Sequence, residues 1–140
     1  MLYREAISQA ILDAMSDPAV VLLGAGVADA KGIFGTCLPA RVLYPERVFE
    51  TPLSENMLTG ALVGMSLAGL KPIYVHARAD FAFLSFEHLI NTAAKWRETH
   101  GSDKPLPMAV RMLVGRGWGQ GPQHSQTVAS MLAPVPGLRL

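Results

Sequence analysis

Ala19-Val20-Val21-Leu22-Leu23-Gly24 is an unbroken apolar run stopped by a glycine. A strand that reads apolar at every position, rather than at alternate ones, buries both faces, as strands of parallel sheets do. Upstream, Leu2, Ala6, Ile7, Ala10, Ile11 and Ala14 recur at three- and four-residue intervals and predict an amphipathic helix ending near Asp17-Pro18. Downstream, residues 24–47 are punctuated by Gly and Pro without a sustained period, which reads as a long loop holding at most a short helical turn. Further signals alternate. A short strand is expected at 48–50, a helix at about 54–69, a strand over Pro72–His76, and a helix from about Ser85 to Thr99 with Leu89, Ile90, Ala93, Ala94 and Trp96 turned inward. A strand over Met108–Val114 follows, then a glycine-rich loop at 115–122, a last helix from near His124, and the opening of another strand at Gly137–Leu140. Strands alternating with helices predict an α/β domain with a mainly parallel sheet flanked by helices. The strand signal at the end reads as a chain that continues.

The 140 residues are half apolar and carry a net charge of +1, the profile of one globular domain with no electrostatic reason to bind nucleic acid or an acidic membrane surface. The lone Cys37 excludes an internal disulfide framework and a cysteine zinc site, and fits a reducing compartment. No apolar run has the roughly 20 residues of a membrane span, and the N-terminus opens into a helix pattern rather than a signal peptide. A cytoplasmic protein is the expectation.

One carboxylate stands out. In Thr51-Pro52-Leu53-Ser54-Glu55-Asn56-Met57-Leu58-Thr59-Gly60, Glu55 opens a helix just past a short strand, where open α/β sheets keep their ligands. On residue type alone such an acid only complements the helix dipole. The helix it opens also carries Gly60, Ala61, Gly64, Ser66, Ala68 and Gly69, small residues that let another backbone approach, so self-association through this helix is expected. Gly24-Ala25-Gly26-Val27-Ala28-Asp29 follows a strand, but Asp29 replaces the third glycine of a dinucleotide fingerprint and no helix pattern follows promptly. The glycine-rich loop lacks the Lys-Ser/Thr pair of a P-loop, and His76, His88, His100 and His124 lack zinc-site spacing, so no metal ligands are assigned to this chain. His124, after the glycine-rich loop, reads equally as a helix cap or a functional base. Phe81, just past a strand, reads on its own as a core anchor.

Tyr3-Arg4-Glu5-Ala6, Leu22-Leu23-Gly24, Thr51-Pro52-Leu53-Ser54-Glu55, Ala68-Gly69-Leu70-Lys71-Pro72-Ile73, Ile90-Asn91-Thr92-Ala93-Ala94-Lys95, Gln123-His124-Ser125-Gln126 and Pro136-Gly137-Leu138 occur in that order. Together they resemble the beta subunit of thiamine-diphosphate-dependent 2-oxoacid dehydrogenases, within the transketolase-like superfamily. The resemblance covers only that subunit's amino-terminal, pyrimidine-binding domain. It implies that residues 1–140 are this domain, cut short at its carboxyl end, with the family's carboxyl-terminal domain absent. It also implies the thiamine-diphosphate-binding fold, the cofactor thiamine diphosphate, decarboxylation with acyl transfer to lipoyl, and a heterotetramer.

In that family, Glu55 falls on the glutamate that hydrogen-bonds a nitrogen of the aminopyrimidine ring and favours the imino tautomer, whose imino group takes the thiazolium carbon's proton. A desolvated carboxylate can hold a proton against a heteroaromatic nitrogen at neutral pH, which a solvated one cannot. Phe81 falls on the aromatic that stacks on the aminopyrimidine, and His124 on the histidine that handles protons during transfer to the lipoyl carrier. Nothing in this chain matches the Gly-Asp-Gly motif for the magnesium diphosphate, which an alpha subunit is therefore expected to hold; a lipoyl acyltransferase is a further implied partner. The chain departs from the family at Ala25-Gly26, where the family has Glu-Asp and uses an acid in a relay between paired cofactors, and at His76-Ala77-Arg78-Ala79-Asp80; Glu87 falls on another acid of that relay. Two alternatives remain open: a split transketolase-type ketol transferase, needing no lipoyl partner, and a non-catalytic assembly module of the same fold.

Overall fold

The computed structural model describes residues 1–117 and 119–140. Strand β1 (Val20–Gly24) lies inside a four-stranded sheet in the order β2 (Val48–Glu50), β1, β3 (Lys71–His76), β4 (Ala109–Met112), with every pairing parallel. Leu22 is in register with Val48 on one side and Ile73 on the other, and Ile73 is in turn opposite Ala109. The unbroken apolar run explains this place in the sheet. Val20 and Leu22 face one layer, packed with Ile11 and Met15 of helix α1 (Tyr3–Met15) and Ala40 of helix α2 (Leu38–Leu43). Val21 and Leu23 face the other, against Leu58 and Leu62 of helix α3 (Glu55–Leu67) and Tyr74 of β3. Each face of β1 is covered by its own helical layer.

Gly24 ends β1 for a steric reason. Its φ is 151°, and a Cβ there would lie 2.5 Å from the Val75 carbonyl oxygen. Only glycine lets the carboxyl ends of β1 and β3 approach this closely.

The structure departs from the sequence expectation where helices are short. Residues 24–47 hold more than a turn: α2, with Pro39 in its first turn, and a 3-10 turn over Pro45–Arg47. The helix expected over 85–99 is two pieces, a π-helical segment over Glu87–Ala93 and helix α4 (Trp96–His100), and a 3-10 segment over Ala79–Ser85 precedes them. The 3-10 segment follows its own period, since Ala79, Ala82 and Ser85 recur every third residue and all three are buried. The π-helical segment lays His88 over Gly60 of α3, where a Cβ would stand 3.1 Å from the imidazole. Part of the small-residue surface of α3 is thus used within the chain, while Gly64 stays open. The last helix starts later than expected, as α5 (Ala129–Leu132), and His124 instead ends a 3-10 turn over Pro122–His124. No strand forms at 137–140.

Leu62, fully buried between α3 and the sheet, tests this layering. Leu62→Ala should lower the unfolding free energy by about 2–5 kcal/mol, whereas Met57→Ala on the exposed face of the same helix should change it by no more than about 0.5 kcal/mol. Urea denaturation followed by circular dichroism reads both, and equal effects would mean α3 does not pack as described.

Candidate functional site

Strands β1, β2 and β3 all point their carboxyl ends toward one side of the sheet, and the candidate residues stand on the segments that leave it there. Glu55 is the first residue of α3, half-buried. Ser54 before it makes no side-chain cap bond. The Glu55 carboxylate is in the first turn, where the helix dipole favours its negative charge. It makes no hydrogen bond or ion pair among the described residues.

The Glu55 backbone, by contrast, is held firmly. Its carbonyl oxygen accepts a 2.7 Å bond from the Thr59 hydroxyl one turn on and a 3.4 Å bond from Ser85. Thr59 and Ser85 are themselves bonded at 2.7 Å, and Ser85 lies 3.1 Å from Nε2 of His76, the last residue of β3. Thr59, Ser85 and His76 are all buried, so a polar chain runs through the interior from β3 to the start of α3. Burial pushes the His76 imidazole down to about 4, so at neutral pH it is an uncharged member of this chain. Beside it, edge-on at 4.6 Å, the Tyr74 phenol is pushed up to about 12, first by burial and then by the negative charge of Glu55.

Phe81 and His124 come from segments 43 positions apart in sequence and meet edge-to-face, with ring centroids 5.5 Å apart and planes at 81°. Phe81 is 38% exposed, so it is not the core anchor its residue type alone would give. His124 Nδ1 is a buried atom with no hydrogen-bond partner among the described residues. The structure joins Phe81 and His124 directly. It joins Glu55 to them through backbone, because the 3-10 segment bearing Phe81 ends at Ser85, which bonds the Glu55 carbonyl.

Two contacts escaped the sequence reading. Asp80, buried beside Phe81, accepts bonds on Oδ1 from the Gln126 backbone amide at 3.2 Å and side-chain amide at 2.8 Å. Glu50, at the end of β2, receives the Gly26 and Ala28 amides on its two oxygens, so a carboxylate does stand against the loop where Ala25 leaves none in sequence. Both pairs are long-range, and no local pattern announces them. Trp118 of the glycine-rich loop lies outside the described residues. Among the described residues no three His, Cys, Asp or Glu side chains converge as metal ligands. A cavity of about 690 Å³ lies elsewhere, between β4, the π-helical segment and residues 137–140, and none of Glu55, Phe81 or His124 lines it.

A model of the family "Transketolase, pyrimidine binding domain" matches residues 1–140. The chain belongs to that family. This pyrimidine-binding domain is 37% identical over 142 residues to the mitochondrial pyruvate dehydrogenase E1 component subunit beta-1 of Arabidopsis thaliana, covering all of this chain and 39% of the relative. It is 32% identical over 146 residues to the acetoin:2,6-dichlorophenolindophenol oxidoreductase subunit beta of Cupriavidus necator, covering 96% of this chain and 43% of that one. The chain thus spans about two fifths of the length of these relatives. A solved structure titled as a split gene transketolase, an inactive beta4 tetramer, shares the fold with a TM-score of 0.69 at 21% identity, over 95% of this chain and 40% of that one.

The residues present fit the aminopyrimidine end of thiamine diphosphate. A half-buried carboxyl group without an internal hydrogen bond or ion pair among the described residues can share a proton with a ring nitrogen, and a part-exposed phenyl ring offers a flat apolar face.

The buried polar chain has a pH signature. Unfolded His76 takes up a proton near 6.5, whereas the folded form does so only near 4, so between these values the unfolded state binds more protons and stability falls as pH falls. His76 should contribute a loss of roughly 2–3 kcal/mol between about pH 7 and pH 4.5. Urea titrations of the parent and of His76→Asn at both pH values should show a shallower loss in the variant. Identical losses would remove His76 as the cause.

Proposed function

We propose that this chain is the beta component of a thiamine-diphosphate-dependent 2-oxoacid dehydrogenase, which decarboxylates its substrate and passes the acyl group to lipoyl only when assembled with an alpha subunit. The observation that carries this reading is the Glu55 carboxylate, half-buried at the first residue of α3 and without an internal hydrogen bond or ion pair among the described residues. A scaffold has no use for such a group, whereas an aminopyrimidine ring does.

When bound, thiamine diphosphate supplies the electron sink for decarboxylation, and the protein supplies orientation and electrostatics. Glu55 would hold a proton between its carboxylate and a ring nitrogen, a bond strengthened once the ligand excludes water. Its backbone anchor through Thr59 and Ser85 fixes the point from which the side chain reaches. Phe81 would stack on the pyrimidine face. His124, whose Nδ1 has no hydrogen-bond partner among the described residues, would handle protons when the acyl group passes to lipoyl.

The diphosphate and its magnesium are assigned to the alpha subunit. Support for a partner covering this region comes from Leu53, Met57, Phe83 and Leu84, all exposed near Glu55, with Leu84 tied to the first turn of α3 by Asn56. Self-association is assigned to the exposed stripe Met57, Ala61, Gly64 and Leu67, spaced along one face of α3. Among the described residues no helix is long and apolar enough to cross a membrane. The buried free thiol of Cys37 supports the cytoplasm as the proposed setting.

Calorimetry should detect little or no thiamine diphosphate binding by the purified chain with magnesium, and binding should appear on mixing with the alpha partner; tight magnesium-dependent binding by the chain alone would remove the divided site. In the assembled enzyme, Glu55→Ala should slow exchange of the cofactor carbon proton by about 10²–10⁴. Exchange at the parent rate would return Glu55 to a helix-dipole role and favour the non-catalytic module. His124→Ala should spare decarboxylation with an artificial oxidant more than transfer to lipoyl; ketol transfer without any lipoyl dependence would instead favour the transketolase-type reading.

A further inference from the structure

The segments that carry Phe81 and His124 are joined on either side of the ring contact, by Arg78 donating to Gln120 Oε1 at 3.1 and 2.7 Å and by Val128 packed with Ala79 and Ala82. The 3-10 turn that carries His124 is three residues long, and its local bonds, His124 N to the Gly121 carbonyl and Ser125 Oγ to the same oxygen, fix its shape but not its place on the sheet. The 3-10 segment that carries Phe81 is anchored independently, by burial of Ala79, Ala82 and Ser85 and by the Ala79 amide bonded at 2.7 Å to the Leu113 carbonyl. Between the two segments stands one buried carboxylate. Asp80 Oδ1 takes the Gln126 backbone amide at 3.2 Å and its side-chain amide at 2.8 Å, bonds that span 46 residues of sequence. Asp80 directly precedes Phe81, and Gln126 follows His124 by two, so the clamp sits within two residues of each ring.

We propose that Asp80 is the positioning residue of this site: by holding both amides of Gln126 it fixes the segment that presents the His124 imidazole to the Phe81 ring. A single acceptor with two donors from one residue constrains both the position and the direction of the incoming backbone, which one bond would not. Removing it leaves the Gln126 backbone amide without its partner and frees the 122–126 segment to move. The acceptor's position matters more than its charge, since an amide oxygen in the same place can accept both bonds, though more weakly than a carboxylate.

The meaning of this clamp for catalysis rests on the proposed role of His124, but its test does not. Ring-to-ring nuclear Overhauser cross peaks between Phe81 and His124 in the purified chain report the contact itself. They should be present in the parent, retained in Asp80→Asn, weakened in Gln126→Ala, and lost in Asp80→Ala while the remaining methyl and amide spectrum is unchanged. Full-strength cross peaks in Asp80→Ala, or their loss in a folded Asp80→Asn, would overturn the proposal. Should Asp80→Ala not fold, Gln126→Ala decides, with unweakened cross peaks as the contrary result. Unimpaired lipoyl transfer by the assembled His124→Ala enzyme would remove the functional reading and leave this contact standing, so the two failures are distinguishable.

Discussion

Burial of β1 on both faces is the constraint on which the rest depends. Val20 and Leu22 on one side and Val21 and Leu23 on the other require two separate helical layers, and a strand so enclosed pairs most simply with parallel neighbours whose crossovers supply those layers. Parallel pairing then brings the carboxyl ends of β1, β2 and β3 to one side. At that side, Gly24 lets β1 approach the Val75 carbonyl, β2 ends at Glu50 beside the 26–28 loop, and β3 ends at His76. The candidate site follows from where these strands stop.

From His76 onward the organisation is polar. A buried imidazole, two hydroxyls and a backbone carbonyl form a connected chain, and each hydroxyl finds a partner that apolar surroundings would otherwise deny it. The consequence for function is a division of labour within one residue. The Glu55 backbone is fixed by this chain, while its carboxylate is left without an internal hydrogen bond or ion pair among the described residues. A ligand meeting that carboxylate finds the start of α3 already placed, so only the side chain itself remains to be ordered on binding. The same holds for Phe81, whose ring is part-exposed while the neighbouring Ala79 and Ala82 are buried.

Where local pattern and long-range packing agree, the fold was legible from sequence. The apolar run at 19–23, the Asp17-Pro18 stop and the Thr51-Pro52 entry locate β1, α1 and the start of α3 to within a residue or two. The 3-10 segment over Ala79–Ser85 has no counterpart in the sequence reading, because small residues every third position specify a face that a search for 3.6-residue periodicity passes over. The helix expected from near His124 begins instead at Ala129, because Asp80 takes the Gln126 amide and draws these residues across to another element. Asp80 with Gln126, and Glu50 with the 26–28 loop, carry no signature within any short window. Their partners become visible only after the sheet has brought distant segments together.

The central claim is that the Glu55 carboxylate faces the aminopyrimidine of bound thiamine diphosphate. A crystal structure of the chain assembled with a diphosphate-binding partner, magnesium and the cofactor tests it most directly. The account predicts a Glu55 oxygen within about 2.5–3.0 Å of a pyrimidine nitrogen, a charge-assisted distance, with the Phe81 ring against the pyrimidine face. A bound cofactor whose pyrimidine lies away from Glu55, with that carboxylate still turned to solvent or to another protein group, would contradict it.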